Sequence, residues 1–182
     1  MQQNNFTSFP GKIHLIDSDQ KLLAVQNELL SVEVFGFDTE TKPSFKKGEV
    51  YKVSLVQLAT ETDAYLIRLL KISKIQILKE IFENAQVVKA GVAVRDDFKL
   101  LQKSFSFIPA EFIELQDIAK EQGLENFGLK GMAEEVLNFT ITKGPKLTNW
   151  EAFELTDPQM MYAATDAWLG LMLYKKMVGV KS

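Results

Sequence analysis

The sequence predicts an α/β domain in which a mixed sheet of five or six strands is flanked by helices, and three observations lead to this prediction. Short apolar runs separated by turn residues, typical of strands joined by hairpins, dominate the first part of the chain. Strand and helix patterns then alternate, and the chain from residue 116 onward is mostly helical. This order favours a mixed sheet with helices packed against it. The 182 residues contain no repeat, low-complexity tract or linker, so we expect one domain, 1–182, with residues 1–9 as a flexible lead-in.

Four strands and one helix are predicted in the first part of the chain. The strands lie at 13–16, 34–41, 51–59 and 64–67. The helix covers 22–30 and follows Asp17, Ser18 and Asp19, which are typical N-cap residues. The connection between the last two strands is short enough for a hairpin. Together with the strand at 34–41, these two strands are therefore predicted to form an antiparallel meander.

Two further strands and several helices are predicted in the rest of the chain. The strands lie at 86–90 and 112–115, and the helices lie at 75–84 and from Asp96 or Asp97 to Leu101. The last helix is predicted to begin at Asp157-Pro158, because aspartate is a good N-cap residue and proline fits the first helical position. It ends near Met177.

The composition excludes several kinds of site. The chain has no cysteine, which excludes disulfides, thiolate metal sites and cysteine nucleophiles. Its single histidine, His14, lies in a short apolar run and is predicted to be an ordinary strand residue. The net charge of −3 gives no global basic signature for nucleic acid. Any enzymatic chemistry must therefore use Asp, Glu, Lys, Tyr and the backbone.

The sequence also shows no membrane or export signal. No stretch approaches the roughly 20 apolar residues that span a bilayer. Residues 1–9 lack the charged start and the apolar core of a signal peptide. We therefore expect a soluble, cytoplasmic protein without a membrane partner.

Asp38 and Glu40 follow the apolar residues of the strand at 34–41. Residues two apart on a strand point to the same face, so both carboxylates should project from one place at the end of the strand. Adjacent carboxylates repel each other, and an oxygen-rich site of this kind suits Mg²⁺ or Mn²⁺. On its own, a bare Asp-x-Glu fits better a turn that Asp38 opens, with Glu40 in solvent.

Two other places in the sequence carry acids in a suggestive pattern. Asp96 and Asp97 stand where a buried strand gives way, through Gly91, to a helix, although N-capping explains them as well. Tyr162 and Asp166 are four residues apart on the last helix and therefore share a face. For this pair the alternative is an exposed position on an amphipathic helix.

The four acids Asp38, Glu40, Asp97 and Asp166 together predict more than any of them alone. Such a cluster can hold two divalent ions about 4 Å apart, an arrangement that catalyses in-line displacement at phosphorus. One ion would lower the pKa of a bound water, and the other would stabilise the leaving 3′-oxyanion. Tyr162, one turn before Asp166, would orient the attacking water.

Three segments resemble the three motifs of the DEDD 3′–5′ exonucleases, namely 37–40, 91–97 and 162–166. The Tyr-x-x-x-Asp pattern at 162–166 is similar to that of the tyrosine branch, which includes RNase D and the Werner-syndrome exonuclease domain. The likeness continues at 53–58, 147–150 and 155–159 and covers residues 10 to 178. Each motif is weak alone, but three in this order and spacing are specific.

The resemblance implies a ribonuclease H-like fold, two Mg²⁺ or Mn²⁺ ions, and stepwise release of nucleoside 5′-monophosphates from the 3′ end of DNA or RNA. It assigns Asp38, Glu40, Asp97 and Asp166 as metal ligands, with Tyr162 orienting the water. Counting without a gap from Gly91 selects Asp97 as the third acid, whereas the register of the following helix also admits Asp96. We take Asp97 as the third acid and Asp96 as the helix cap.

Nucleic acid with a free 3′ end is the predicted partner. Contacts are expected from Thr39, Lys42, Phe98 and Lys146, with Lys46, Lys47 and Lys143 as further phosphate contacts. Each lysine also fits a solvated loop, and Phe98 also fits the core. We expect a free-standing nuclease domain with shallow binding, targeted by its own surface or by a protein partner. The alternative is a nucleic-acid-binding or scaffold protein that kept the fold and lost catalysis.

Overall fold

The computed structural model describes residues 6–142, 144 and 148–179, which form a six-stranded sheet with helices against both faces. The strands are β1 (Lys12–Ile16), β2 (Val34–Thr41), β3 (Val53–Ala59), β4 (Asp63–Arg68), β5 (Val88–Gly91) and β6 (Phe112–Glu114). The helices are α1 (Asp19–Ala24), α2 (Gln26–Ser31), α3 (Gln76–Glu83), α4 (Val94–Leu101), α5 (Leu115–Glu121), α6 (Leu129–Leu137) and α7 (Asp157–Val178).

The strand order is β1-β4-β3-β2-β5-β6, which places β2 inside the sheet between β3 and β5. β2, β3 and β4 pair antiparallel in sequence order, as the predicted meander requires. The pairs β1–β4, β2–β5 and β5–β6 are parallel. The predicted α/β class with a mixed sheet is therefore confirmed.

Helices cover the two faces of the sheet in two groups. One apolar cluster joins the sheet to α1, α2, α3 and α4, and two others join it to α5, α6 and α7. Along β2 the side chains alternate between these groups, because successive residues of a strand point to opposite faces. Phe37 packs on Phe82 and Phe112 on the first face. Gly36, Asp38 and Glu40 therefore point to the second face, towards α7.

Gly36 allows α7 to approach β2 closely. A Cβ atom at Gly36 would lie 1.8 Å from the carbonyl oxygen of Ala167. Ala163, Ala164 and Ala167 are fully buried on the same helix, so small side chains line the contact. This close packing brings the middle of α7 next to the two acids of β2.

The boundaries of two predicted helices were wrong. The predicted helix 22–30 is two helices, because the backbone N–H of Val25 donates to the carbonyl of Leu22 and ends α1 there. Thr156, and not Asp157, caps α7: its hydroxyl accepts from the N–H of Gln159 at 3.2 Å. The Gln159 side chain accepts from the N–H of Thr156 at 2.9 Å in return. Such a capping box satisfies two helix-end donors, which leaves Asp157 and Pro158 inside the first turn.

The chain from residue 115 onward contains α5, α6 and α7, and between Leu137 and Asp157 it has no helix among its described residues. The C-cap residue Asn138 adopts a left-handed conformation with φ 56°, which ends α6. Residues 143 and 145–147, and with them the predicted contacts Lys143 and Lys146, lie outside the described residues. None of the described helices is both long enough and apolar enough to cross a membrane.

Candidate active site

Three carboxylates meet between β2 and α7. Asp38 and Glu40, two residues apart on β2, share the face towards α7, and Asp166 faces them from that helix. One oxygen from each of the three lies within 4.8 Å of the others. The structure thus brings together three of the four acids that the sequence analysis selected.

Asp38 is at the electrostatic centre of this group. Burial raises the pKa of its carboxyl well above the usual value, and the charges of Glu40, Asp166 and Asp97 raise it further. The backbone N–H of Thr39, which donates to Asp38 Oδ1 at 2.8 Å, opposes this only in part. Crowded carboxylates of this kind are stabilised by a hard divalent cation, whose preferred ligands are oxygens. The donor set therefore fits such an ion.

Asp97, the fourth acid, lies beside the group and contacts it through Thr39. The Thr39 hydroxyl donates to Asp97 Oδ1 at 2.9 Å. Burial raises the pKa of Asp97 to about 7, although this hydrogen bond lowers it. Asp96 is exposed. The environment therefore favours Asp97 over Asp96, and its role as a metal ligand stays a prediction.

Asp96 is not the helix cap, because α4 begins two residues earlier, at Val94. The N-cap residue Ala93 is in the left-handed conformation, with φ 57°. The buried carboxylate of Glu114 accepts from the N–H of Ala93 at 2.8 Å and from that of Val94 at 2.9 Å. A carboxylate from β6 thus replaces the local cap and holds the start of the helix that carries Asp97.

Tyr162 stands next to Asp166 and is held from several sides. Its ring lies 6.2 Å from that of Trp150, and the Lys130 ammonium lies 5.4 Å from its centroid. A Cβ atom on Gly144 would come within 2.0 Å of the Tyr162 ring, so only glycine fits there. Burial raises the pKa of Tyr162, and the Asp166 charge raises it further. The hydroxyl is therefore protonated at neutral pH and able to donate.

Gln57 is a supporting residue that the sequence analysis missed. It is fully buried on β3, and its Nε2 donates to Glu40 Oε1 at 3.2 Å and to the carbonyl of Ala163 at 3.4 Å. Gln57 thereby links the acid on β2 to the backbone of α7. The signal available in the sequence was a polar side chain within the otherwise largely apolar run 53–59. Glu114 gave a similar signal, as a charged residue on β6.

A cavity of about 380 Å³ opens onto the acids. Asp38, Asp166 and Tyr162 form one side, and Lys130 stands in the wall that α6 supplies. A second cavity, of about 300 Å³, reaches Tyr162 and Asp166 from the side of Thr7 and Thr142. The acids are therefore accessible to a ligand of nucleotide size.

The predicted nucleic-acid contacts differ in their surroundings. Phe98 is half-buried with its ring 5.3 Å from that of Phe112, which is a packing contact rather than an open stacking surface. The Lys42 ammonium lies 5.0 Å from the ring centroid of Tyr51. Lys42 and Lys46 line a third cavity, of about 300 Å³, next to the exposed Phe45.

The class that this fold and site define is that of nucleases whose metal ions are held by carboxylates. Residues 13–180 match the family model described as 3′-5′ exonuclease. The chain belongs to the 3′-5′ exonuclease family, as its three motifs predicted. Enzymes of this family use divalent metal ions, and the carboxylate group on β2 and α7 fits one.

Relatives of known name agree with this assignment. The bifunctional 3′-5′ exonuclease/ATP-dependent helicase WRN of Mus musculus is 35% identical over 94% of this chain, which spans 13% of that protein. The crystal structure of the Aedes aegypti Nibbler EXO domain has a TM-score of 0.84 at 25% identity, and the match covers 95% of this chain and 93% of that one. The crystal structure of Escherichia coli RNase D, described as an exoribonuclease involved in structured RNA processing, has a TM-score of 0.83 at 26% identity. That match covers 92% of this chain and 44% of the RNase D chain. A nuclease function is the one that these names support.

Proposed function

We propose that this chain is a metal-dependent 3′–5′ exonuclease that removes nucleoside 5′-monophosphates one at a time from the 3′ end of a nucleic acid. The observation that carries the proposal is the meeting of three carboxylates within 4.8 Å beside the protonated hydroxyl of Tyr162. Such a cluster is costly without a cation, and the cavity beside it is large enough for a nucleotide.

The side chains divide into two roles in this proposal. Asp38, Glu40, Asp97 and Asp166 would hold two Mg²⁺ or Mn²⁺ ions. When bound, these ions supply a polarised water and neutralise charge at the phosphate. Tyr162 would hold the attacking water through its hydroxyl.

The reaction is hydrolysis of the last phosphodiester bond. The water oxygen bonds to phosphorus, the bond from phosphorus to the 3′-oxygen of the penultimate nucleotide breaks, and that oxygen takes a proton. The products are a nucleoside 5′-monophosphate and a chain that is one nucleotide shorter.

Both DNA and RNA are candidate substrates in this proposal, because recognition of the 2′-hydroxyl depends on contacts beyond the acids. Lys42, Lys46 and Lys47, on the loop that follows β2, are the proposed phosphate contacts. The cytoplasmic location and a targeting partner stay predictions from the sequence.

The test uses matched DNA and RNA oligonucleotides that carry a 5′ label and a 3′ overhang, with Mg²⁺, with Mn²⁺ and with EDTA. We expect a ladder that shortens from the 3′ end in metal and no cleavage in EDTA. Binding of the oligonucleotide without a ladder in either metal would favour the catalytically inactive alternative. The ratio of the DNA and RNA rates identifies the preferred substrate.

A further inference from the structure

Lys130 lines the same cavity as Asp38, Asp166 and Tyr162. It stands in the first turn of α6, and its side chain is half-buried. The ammonium donates to the carbonyl of Thr142 at 3.2 Å and lies 5.4 Å from the centroid of the Tyr162 ring. Of the described residues that line the cavity, Lys130 alone carries a positive charge.

The contacts that Lys130 makes with the described residues leave part of its bonding capacity unused. An ammonium group has three N–H donors, of which the Thr142 carbonyl takes one. The ring of Tyr162 attracts the charge but accepts no conventional hydrogen bond. The ion pairs between described residues join Lys21 to Asp17, Arg95 to Asp117, Lys175 to Glu61 and His14 to Asp63, and none includes Lys130. A cation with donors that no described residue takes up thus lines a cavity whose other described charges are negative.

The chemistry of the site indicates what these donors meet. Carboxylates repel a phosphodiester, so a cation in the same cavity makes the approach of its phosphate less unfavourable. Gly128 lines the same cavity, and a Cβ atom at this position would meet no described neighbour within 4 Å.

We propose that Lys130 binds the phosphate of the 3′-terminal nucleotide, and thus is a substrate-binding residue of this site. This rests on the proposed exonuclease function. The contact holds the phosphodiester before cleavage and the phosphate of the released nucleoside 5′-monophosphate afterwards. That phosphate carries a charge of about −1.5 to −2 at neutral pH, so the contact is stronger with the product than with the substrate.

The test compares Lys130→Gln and Lys130→Arg with Lys120→Gln as a matched control. Lys120 makes the same kind of contact, with its ammonium 5.7 Å from the ring of Phe127, but does not line the cavity with the acids. We expect Lys130→Gln to lower kcat/KM about 100-fold and Lys130→Arg to lose less, because it keeps the charge. We expect the Lys120 variant to match the wild type. Wild-type kcat/KM in the Lys130→Gln variant would overturn the proposal.

Product inhibition separates a phosphate contact from a general loss of activity. In Lys130→Gln, the inhibition constant of a nucleoside 5′-monophosphate should rise about tenfold, whereas inhibition by the unphosphorylated nucleoside should not change. Equal effects on both inhibitors would contradict a contact with phosphate. Thermal unfolding by circular dichroism checks that the variant is folded, and Lys130→Met repeats the measurement if the glutamine variant is not.

A purely positioning role through Tyr162 makes a different prediction. If Lys130 acts only by holding the Tyr162 ring, then Lys130→Gln added to Tyr162→Phe costs nothing further, and the proposal is wrong. If Lys130 binds phosphate, the double variant loses activity relative to Tyr162→Phe alone.

Binding without catalysis distinguishes this proposal from the proposed function. In EDTA, fluorescence anisotropy of a labelled single-stranded oligonucleotide gives its association constant K at several salt concentrations. The magnitude of the slope of log K against log salt concentration should be smaller by about 0.7 in Lys130→Gln than in the wild type. An unchanged slope would contradict the phosphate contact even if the enzyme is active. A wild type that never forms a ladder refutes the exonuclease proposal, whatever the slope shows.

Discussion

Asp96 and Asp97 are neighbours on α4 with opposite surroundings. Asp97 is partly buried and bonded to Thr39, whereas Asp96 is exposed to solvent. The charge of Asp97 also contributes to the raised pKa of Asp38. The environment of each side chain, and not the order of residues, distinguishes the two.

This difference predicts unequal effects of two isosteric substitutions. We expect Asp97→Asn to lower kcat at least about 100-fold, because it removes a charge from the proposed metal site while keeping the acceptor for Thr39. Asp96→Asn, the matched control, should leave kcat within a small factor of the wild type. Single-turnover cleavage of a labelled oligonucleotide measures both. A larger loss in the Asp96 variant would mean that the helix register, and not the spacing from Gly91, identifies the third acid.

Lys89 is a buried cation whose role is structural. Its ammonium, on β5, donates to the carbonyls of Ile81, Asn84 and Val87 at 2.9, 3.1 and 2.7 Å. Burial lowers the pKa of Lys89 to about 8. Lys89 thus satisfies carbonyls at the end of α3, which helix ends otherwise leave without partners.

We predict that Lys89→Met lowers the free energy of unfolding by about 1–3 kcal/mol, because buried carbonyls lose their donor. The contribution of Lys89 to the free energy of unfolding also depends on pH, and it increases as the pH rises. Between pH about 8 and about 10 the unfolded chain keeps the Lys89 proton that the folded chain releases, so this residue makes wild-type stability rise with pH. Urea unfolding at pH 8, 9 and 10 measures both effects. A wild type and a methionine variant with parallel pH profiles would show that Lys89 does not titrate in this range.

At the scale of elements, the loop between β2 and β3 joins the acids to an exposed aromatic surface. Phe45 is 85% exposed, and it shares the wall of a cavity with Lys42 and Lys46. Exposed aromatic rings next to lysines are typical of surfaces on which single-stranded bases stack. Glu49 in the same wall limits the positive charge, so stacking carries more of the expected binding than charge does.

We predict that Phe45→Ala weakens binding of a single-stranded oligonucleotide by about 1–3 kcal/mol, the usual contribution of a base stacked on an aromatic ring. Phe153 offers a control because it is equally exposed, at 85%, but its ring lies against Lys71 and outside this cavity. We expect Phe153→Ala to bind like the wild type. Fluorescence anisotropy with oligonucleotides of increasing length measures both, and equal affinities for the two variants would exclude stacking on Phe45.

How well each element was predicted depends on the range of the interactions that define it. The positions of Asp38 and Glu40 on one face of β2, and of Tyr162 and Asp166 on one face of α7, follow from local periodicity, so the sequence predicted them. The start of α4 depends on Glu114, whose carboxylate accepts from the N–H of Ala93. The two residues are 21 positions apart in the sequence. The orientation of Glu40 depends on Gln57, 17 residues away. A single sequence contains both partners of these contacts but no local signal that pairs them.

At the scale of the whole molecule, α7 and β2 form one unit that cannot separate without losing the site. Gly36 lets the helix approach, the alanines of α7 fill the contact, and Gln57 ties Glu40 to the backbone of Ala163. The carboxylates are therefore held close together by packing against their mutual repulsion. Stability and metal binding are consequently linked in this fold.

This linkage predicts how stability responds to pH without metal. The pKa of Asp97 is raised to about 7, and that of Asp38 is also raised. Between pH about 4 and about 7 the folded chain therefore holds protons that the unfolded chain has released, so the free energy of unfolding falls as pH rises through this range. Melting curves in EDTA measure this fall, and Asp97→Asn should reduce it. A profile that rises over the same range would contradict the raised pKa of these carboxyls.

A divalent cation should reverse this trend, because it binds the deprotonated carboxylates of the folded chain and not the unfolded chain. Mn²⁺ at about 100 times its dissociation constant adds about 2.7 kcal/mol to the free energy of unfolding, which raises the Tm of a domain of this size by roughly 5–10 °C. The rise should be larger at pH 8 than at pH 6, since at pH 6 the ion must first displace protons from Asp97 and Asp38. Differential scanning fluorimetry with Mn²⁺ against EDTA at both pH values tests this, with Asp38→Asn as the variant that should lose most of the rise. An equal rise in that variant would place the ion away from the meeting point of β2 and α7.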